Sequence, residues 1–310
     1  MTILLIASCG GSSSDDDGNQ TATGDLLGTV SVQLVAPHTE SDGTMDAGYT
    51  SVLGKIYDGT VPDTVIWDTS MTDGGCVLSI PRVPFCSPSC SSTQACVDTN
   101  TCADYPTAQD VGTVHLDGVK TSSGSSFDLT SVSNTYQAAG LTLTYPGFAE
   151  GDTIKVSGSG SSFTPAFSTS AKGVAQLSIG NSSSLALAAS TALNLSWTAP
   201  AVTGSSVHVK LDISHHGGSK GKIECDTDDT GSLTLSSGMV DKLLSLGAAG
   251  YPTIIVTRSS TGHAGVADGH VDLVVSSEIE EPITVPGVVS CTQDSDCTSP
   301  ATCQDDLTCQ

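Results

Sequence analysis

Two stretches of this chain are too short and too polar to build a core of their own. Cys90-Ser-Ser-Thr-Gln-Ala-Cys96-Val-Asp-Thr-Asn-Thr-Cys102 and Cys297-Thr-Ser-Pro-Ala-Thr-Cys303-Gln-Asp-Asp-Leu-Thr-Cys309 both read C-x5-C-x4-T-C, an internal repeat. One more cysteine precedes each, Cys86 four positions before the first copy and Cys291 six before the second. Segments with so little apolar surface hold a shape only through cross-links. Four cysteines allow three pairings in each module. First-to-third with second-to-fourth is the expected one because it interlocks two small loops: Cys86–Cys96 with Cys90–Cys102, and Cys291–Cys303 with Cys297–Cys309. Spacing alone does not choose among the three. Zinc is the rival, but structural zinc sites use more closely spaced cysteine pairs.

The chain has eleven cysteines, and ten remain once Cys9 is set aside. An even number suits a disulfide framework in an oxidising compartment. By elimination Cys76 pairs with Cys225, clipping two distant parts of the main domain together.

Around the modules, short runs alternate apolar and polar residues. Val207, Val209, Leu211 and Ile213 keep step along 206–213, and Val30, Val32 and Leu34 along 29–35. The same period appears at 113–117, 140–145, 152–156, 176–179, 193–197, 233–235, 253–257 and 270–275. Period two marks half-buried strands, and Gly, Pro, Asn, Asp and Ser clusters separate them. The expected fold is all-β: an antiparallel β-sandwich, Ig-like or jelly-roll-like, over residues 25–285. A Cys-rich insertion interrupts it at 76–102, and a Cys-rich module, 286–310, follows a Pro-punctuated connector. One short helix is expected near 237–246, capped by Ser236 or Ser237, with Met239, Val240, Leu243 and Leu244 on one face and Gly247 at its end. Trp67 and Trp197 are expected in or at the rim of the core. Only 4% of the residues are aromatic, so that core is built from aliphatic side chains.

The charge is lopsided, with 33 acidic and 10 basic residues for a net −23. Such a surface repels phosphate backbones, which excludes nucleic acid as a partner, and it repels anionic headgroups too.

The chain opens MTILLIASC, an apolar run far shorter than the ~20 residues that span a bilayer. It has no Lys or Arg before its cysteine; a start codon further upstream would supply a basic region. Ile6-Ala7-Ser8-Cys9 resembles the lipobox of bacterial lipoproteins, in which the preceding segment is removed and the cysteine carries lipid. That resemblance implies residues 1–8 as a signal segment, Cys9 as the lipid attachment site, and 9–24 as a Gly/Ser/Asp tether.

Candidate chemistry is sparse. Ser214-His215-His216-Gly-Gly places adjacent histidines beside glycines, as some metallohydrolases do, but no H-x-H-x-D-H pattern accompanies them. A polar turn explains the run equally well. His115, His208 and His270 alternate with apolar neighbours, which points them outward, and His263 falls in a Gly/Ser/Thr stretch expected to be loop. No Gly-x-Ser-x-Gly elbow is present. Asp226, Asp228 and Asp229 offer oxygens of the kind calcium prefers, without EF-hand spacing, and an Asx turn accounts for them as well.

Beyond the lipobox and tether, Gly74-Gly-Cys76, residues 151–156 (GDTIKV), 195–200 (LSWTAP) and 223–231 (IECDTDDTG) resemble exported lipoproteins of myxobacteria and related bacteria, a group with no agreed activity. The resemblance implies Gram-negative export, and Gly10 after the cysteine suits outer-membrane sorting. Together these readings predict a lipid-anchored outer-membrane or cell-surface protein with a binding, adhesion or structural role and no catalysis. Its expected partners are the membrane, through the anchor only, and a surface glycan or protein; no cofactor is expected. The alternative is an exported metal-dependent hydrolase built around His215, His216 and Asp226.

Overall fold

A computed structural model describes residues 22–39, 45–266 and 269–310. Its spine is a hairpin of two 14-residue strands, Thr253–Val266 and Gly269–Pro282, paired along their whole length. The alternation along these strands changes allegiance halfway. Ile254 and Val256 point into one core, while Ala264, Val266, Val271, Leu273 and Val275 point into another. One hairpin therefore serves two hydrophobic interiors.

On one side, Asp25–Val35 lies parallel to Gly269–Pro282, followed by Tyr49–Ile56 and Thr135–Gln137. The strand Gly124–Val132 turns the corner. Its residues 130–132 pair with Thr135–Gln137, and residues 124–129 pair with Val114–Thr121 in a second layer. Thr153–Gly158 and Phe167–Lys172 complete that layer. Between the layers sit Val30, Val32, Leu116, Val119, Ile154, Val156 and Leu273, all fully buried. Each such aliphatic side chain contributes about 1.5–3 kcal/mol by leaving water. The layers come close where Phe167–Lys172 crosses the hairpin: a Cβ on Gly262 would run into the Ser170 carbonyl.

On the other side, Ser206–Asp212, Lys222–Asp228, Cys76–Arg82 and Ile66–Asp73 extend the same sheet. A small ribbon, Leu193–Ser196 with Leu193↔Leu235 as its first pair, and the helix Ser237–Leu244 supply its second core. Ser236 caps the helix by accepting a hydrogen bond from the Met239 amide, and Met239, Val240 and Leu243 are the buried face. Trp197 is buried in this core; Trp67 is half-buried on the edge strand, with the Lys222 amine 4.2 Å from its ring centroid.

The architecture is all-β with one α-helix among the described residues and a sandwich-like layering, as the alternation implies. Four details differ from the expectation. The sheet is mixed, because the first strand and the last run side by side in the same direction. There are two cores in place of one. Cys76 belongs to a strand of the main sheet, so the inserted module begins after Arg82. The expected strands at 140–145 and 176–179 form only isolated bridges, Thr121↔Leu143 and Ile179↔Trp197.

Both modules take the first-to-third, second-to-fourth pairing, Cys86–Cys96 and Cys90–Cys102 in one, Cys291–Cys303 and Cys297–Cys309 in the other. The repeat extends to the backbone. The third and fourth cysteines face each other across a hairpin in both copies, Cys96↔Cys102 and Cys303↔Cys309. The fourth residue after the third cysteine is left-handed in both, Asn100 at φ 56° and Leu307 at φ 60°. Cys76 and Cys225 sit directly opposite each other on neighbouring strands and are bonded. Five disulfides belong to an oxidising, extracellular-type compartment. No helix among the described residues is long and apolar enough to cross a membrane.

Candidate functional site

The residues singled out for chemistry do not come together. His215 and His216 lie with their tilted rings 4.0 Å apart between centroids in the turn after Ser206–Asp212. Asp226 is the cross-strand partner of His208, seven residues back along that chain. His208 lies four residues, about 13 Å at ~3.3 Å per residue, before the strand ends at Asp212, and the histidine pair lies in the turn beyond that end. The turn has a structural job. Its His215 carbonyl accepts the Tyr251 amide at 2.8 Å, and Gly250 packs so closely that a Cβ there would strike His215 and Gly217. Gly250 in turn donates its amide to the Asp306 carbonyl at 2.7 Å, and Ser290 Oγ donates to the Gly250 carbonyl at 2.6 Å. The His-His-Gly-Gly run is thus part of the seat of the C-terminal module.

The acidic stretch also separates. Asp226 and Asp228 are exposed and alternate along one strand. Asp229 turns inward, where its side chain is 2% exposed. There it accepts from Trp197 Nε1 at 2.8 Å, Ser205 Oγ at 2.7 Å, and both Nε and Nη2 of Arg258. With its oxygens occupied, Asp229 is not available to calcium beside Asp226 and Asp228. Burial pushes the Asp229 carboxyl up, but bonds from Arg258, Ser205 and Trp197 outweigh it and hold the group below the usual carboxylate range. Arg258 completes its fork on the carbonyls of Ala175, at 3.1 Å, and Thr198, at 2.6 Å. It lies on the hairpin between the residues that feed the two cores, so this buried pair fastens their seam. Cys9, the expected lipid attachment site, lies outside the described residues.

A pattern emerges at three other histidines. His115 faces Asp128, His208 faces Asp226 and His263 faces Asp272, each pair in direct cross-strand register. In each, the histidine Nδ1 meets the carboxylate Oδ1, at 2.6, 2.8 and 2.6 Å. His263 is in a strand, not a loop, and His270 is only 12% exposed, not directed freely outward.

At the first pair, Ser126 Oγ lies 2.9 Å from His115 Nε2, so Ser126, His115 and Asp128 share the connectivity of a nucleophile–base–carboxylate relay. Their setting works against that use: the His115 and Asp128 side chains are 38% and 64% exposed, so water screens the contact. The hydrogen bond to Asp128, aided by Asp117, raises the His115 pKa against some desolvation.

An open groove of about 410 Å³ lies on the outer face of the sheet, over Asp25–Val35 and Tyr49–Ile56. Leu26, Leu53 and Val61 line it and are 45%, 50% and 51% exposed. Tyr57 and Lys55 border it, with the Lys55 amine 5.3 Å from the Tyr57 ring centroid. The sequence signal was faint: a bulge between Leu26 and Gly28 interrupts the alternation just where the groove opens. No protein-family model matches the chain, and no curated protein is similar to it.

Proposed function

We propose that this chain is an exported, non-catalytic binding protein, held at the outer membrane or cell surface of a Gram-negative bacterium by lipid on Cys9. The observation that carries the binding role is the exposed apolar groove on a sheet braced from behind by a fully packed core. A rigid face loses little entropy when a ligand settles on it. Leu26, Leu53 and Val61 favour a ligand that buries apolar side chains, and Thr29, Ser31, Lys55 and Tyr57 stand beside them for its polar groups. The ligand is therefore a surface protein that inserts apolar side chains, and the net charge of −23 favours a basic rim around them.

Two measurements test the two halves separately. In the native host, an alkyne-bearing fatty acid labels the wild-type chain, and Cys9→Ser abolishes the label. Label retained in that variant removes the anchor. Independently, wild-type protein binds intact cells, and Leu53→Glu or Val61→Asp reduces binding at least tenfold with the melting temperature unchanged. Equal binding by all three proteins removes the groove, and binding abolished by glycosidase but not protease treatment of the cells makes the ligand a glycan.

A further inference from the structure

One further group of side chains gathers on the spine hairpin. His263, His270 and Asp272 lie on the outer face of the spine hairpin, and one ligand atom from each falls within 4.8 Å of the others. Register makes the cluster: His263 is opposite Asp272, and His270 is two residues from Asp272 on the same strand, so all three share a face.

We infer that His263, His270 and Asp272 form a binding site for a divalent transition metal of the zinc type. Two imidazoles and one carboxylate, with remaining positions open to water, are a donor set that zinc accepts. Asp272 Oδ1 is already placed between the rings, 2.6 Å from His263 Nδ1 and 3.6 Å from His270 Nε2. Metal-bound donors stand about 3.2–3.5 Å apart when each is 2.0–2.1 Å from a tetrahedral ion. The two contacts to Asp272 differ from that spacing by less than about 1 Å. His270 Nδ1 is buried and has no hydrogen-bond partner among the described residues. Nothing described therefore holds that ring through Nδ1 against turning onto an ion. The rings of His263 and His270 meet edge to face, with centroids 5.8 Å apart.

The scaffold suits the purpose. The hairpin is the longest paired element of the fold, so its ligands are held by regular backbone and not by loops. The strongly acidic protein concentrates cations at its surface. An ion that takes the facing His263 Nδ1 and Asp272 Oδ1 would send any proton between them to solvent, and no redox change is involved. Thr29 and Leu26, which line the groove, are the parallel-strand neighbours of Asp272 and His270, so the ion would sit one strand from the groove. The site stands on its own residues, whatever the groove binds.

The test uses the full chain, stripped with a chelator. Calorimetry with zinc alone is expected to give one site per chain. Loss of a first ligand should weaken that site more than about 100-fold, beyond the 10–100-fold typical of outer partners. His263→Gln, His270→Gln and Asp272→Asn are each expected to do so, while His215→Gln and Asp226→Asn leave it intact. Far-UV circular dichroism checks the folding of each variant. X-ray absorption on the zinc-loaded wild type gives an answer that needs no variant: two imidazole nitrogens in the first shell are expected. A shell of oxygens only, an affinity unmoved in folded His263→Gln, or no binding to the wild type overturns the site.

Discussion

Arg258 and Asp229 form a forked ion pair in the interior, with side chains 1% and 2% exposed. Its members come from the middle of the spine hairpin and from the residue just after Lys222–Asp228. Taking one partner away strands a buried charge, which costs about 3–5 kcal/mol. Arg258→Met is therefore expected to lower the urea-unfolding free energy by that amount. The double variant Arg258→Met/Asp229→Leu should recover most of the loss, because no charge then remains in the seam. A double variant no more stable than the single would show that the pair acts through its carbonyl and indole bonds instead.

The same pair sets an acid limit. The Asp229 pKa is held below its ordinary 3.8 in the folded protein. A depressed carboxylate contributes stability that is complete above the unfolded value and is lost as pH falls through the folded one. Stability is thus expected to drop below about pH 4. Ser205→Ala removes one of the bonds holding the charged form, so its urea midpoint should fall at pH 7 and its acid slope should be shallower. A slope identical to wild type places the acid sensitivity elsewhere.

His115 behaves in the opposite sense. Its pKa is raised from 6.5, first by Asp128, so its contact stabilises the fold below the unfolded value and that contribution disappears as pH rises through the folded one. The side chain is 38% exposed, and solvent screening keeps the stability effect small. The sharper readout is an NMR titration of the His115 ring. Asp128→Asn should bring its midpoint down toward 6.5, and an unchanged midpoint would leave Asp117 as the controlling carboxylate.

The modules offer a swap experiment. Asn tolerates the left-handed region better than Leu, so Leu307→Asn is expected to stabilise the C-terminal module by about 0.5–1 kcal/mol. Asn100→Leu should destabilise the inserted module by more, since Asn100 also accepts the Ser87 amide at 2.8 Å. Hydrogen exchange of each hairpin measures both. By contrast, Cys76→Ala/Cys225→Ala opens a loop of 149 residues and should cost about 5 kcal/mol in global unfolding on the chain-entropy account.

Much of this fold is written locally. Alternation along 206–213 and 29–35 identifies strands because each has one face in a core. The Ser236 cap and the spacing of Met239, Val240 and Leu243 identify the helix. Local patterns fail where exposure is uneven. Ile66–Asp73 is an edge strand with mostly exposed side chains, so its sequence carries no clear period. They fail again where meaning depends on register. Nothing near His115, His208 or His263 announces that an aspartate 9 to 18 residues away will stand opposite. Arg258 did leave a trace: it keeps step with Ile254 and Val256, so an inward-facing charge was readable, though its partner 29 residues earlier was not. The acidic run 226–229 misled because a turn after Asp228 sends neighbouring carboxylates to opposite environments.

The placement of the first strand has a mechanical meaning. Asp25–Val35 is clamped on both flanks, by Tyr49–Ile56 on one side and Gly269–Pro282 on the other. A pull on the chain ahead of Asp25 would act along this strand, nearly perpendicular to the hydrogen bonds on both flanks. Those bonds would then be loaded in shear all at once, whereas an edge strand pulled crosswise would peel away one bond at a time. A protein pulled from its N-terminal end would yield last at this strand.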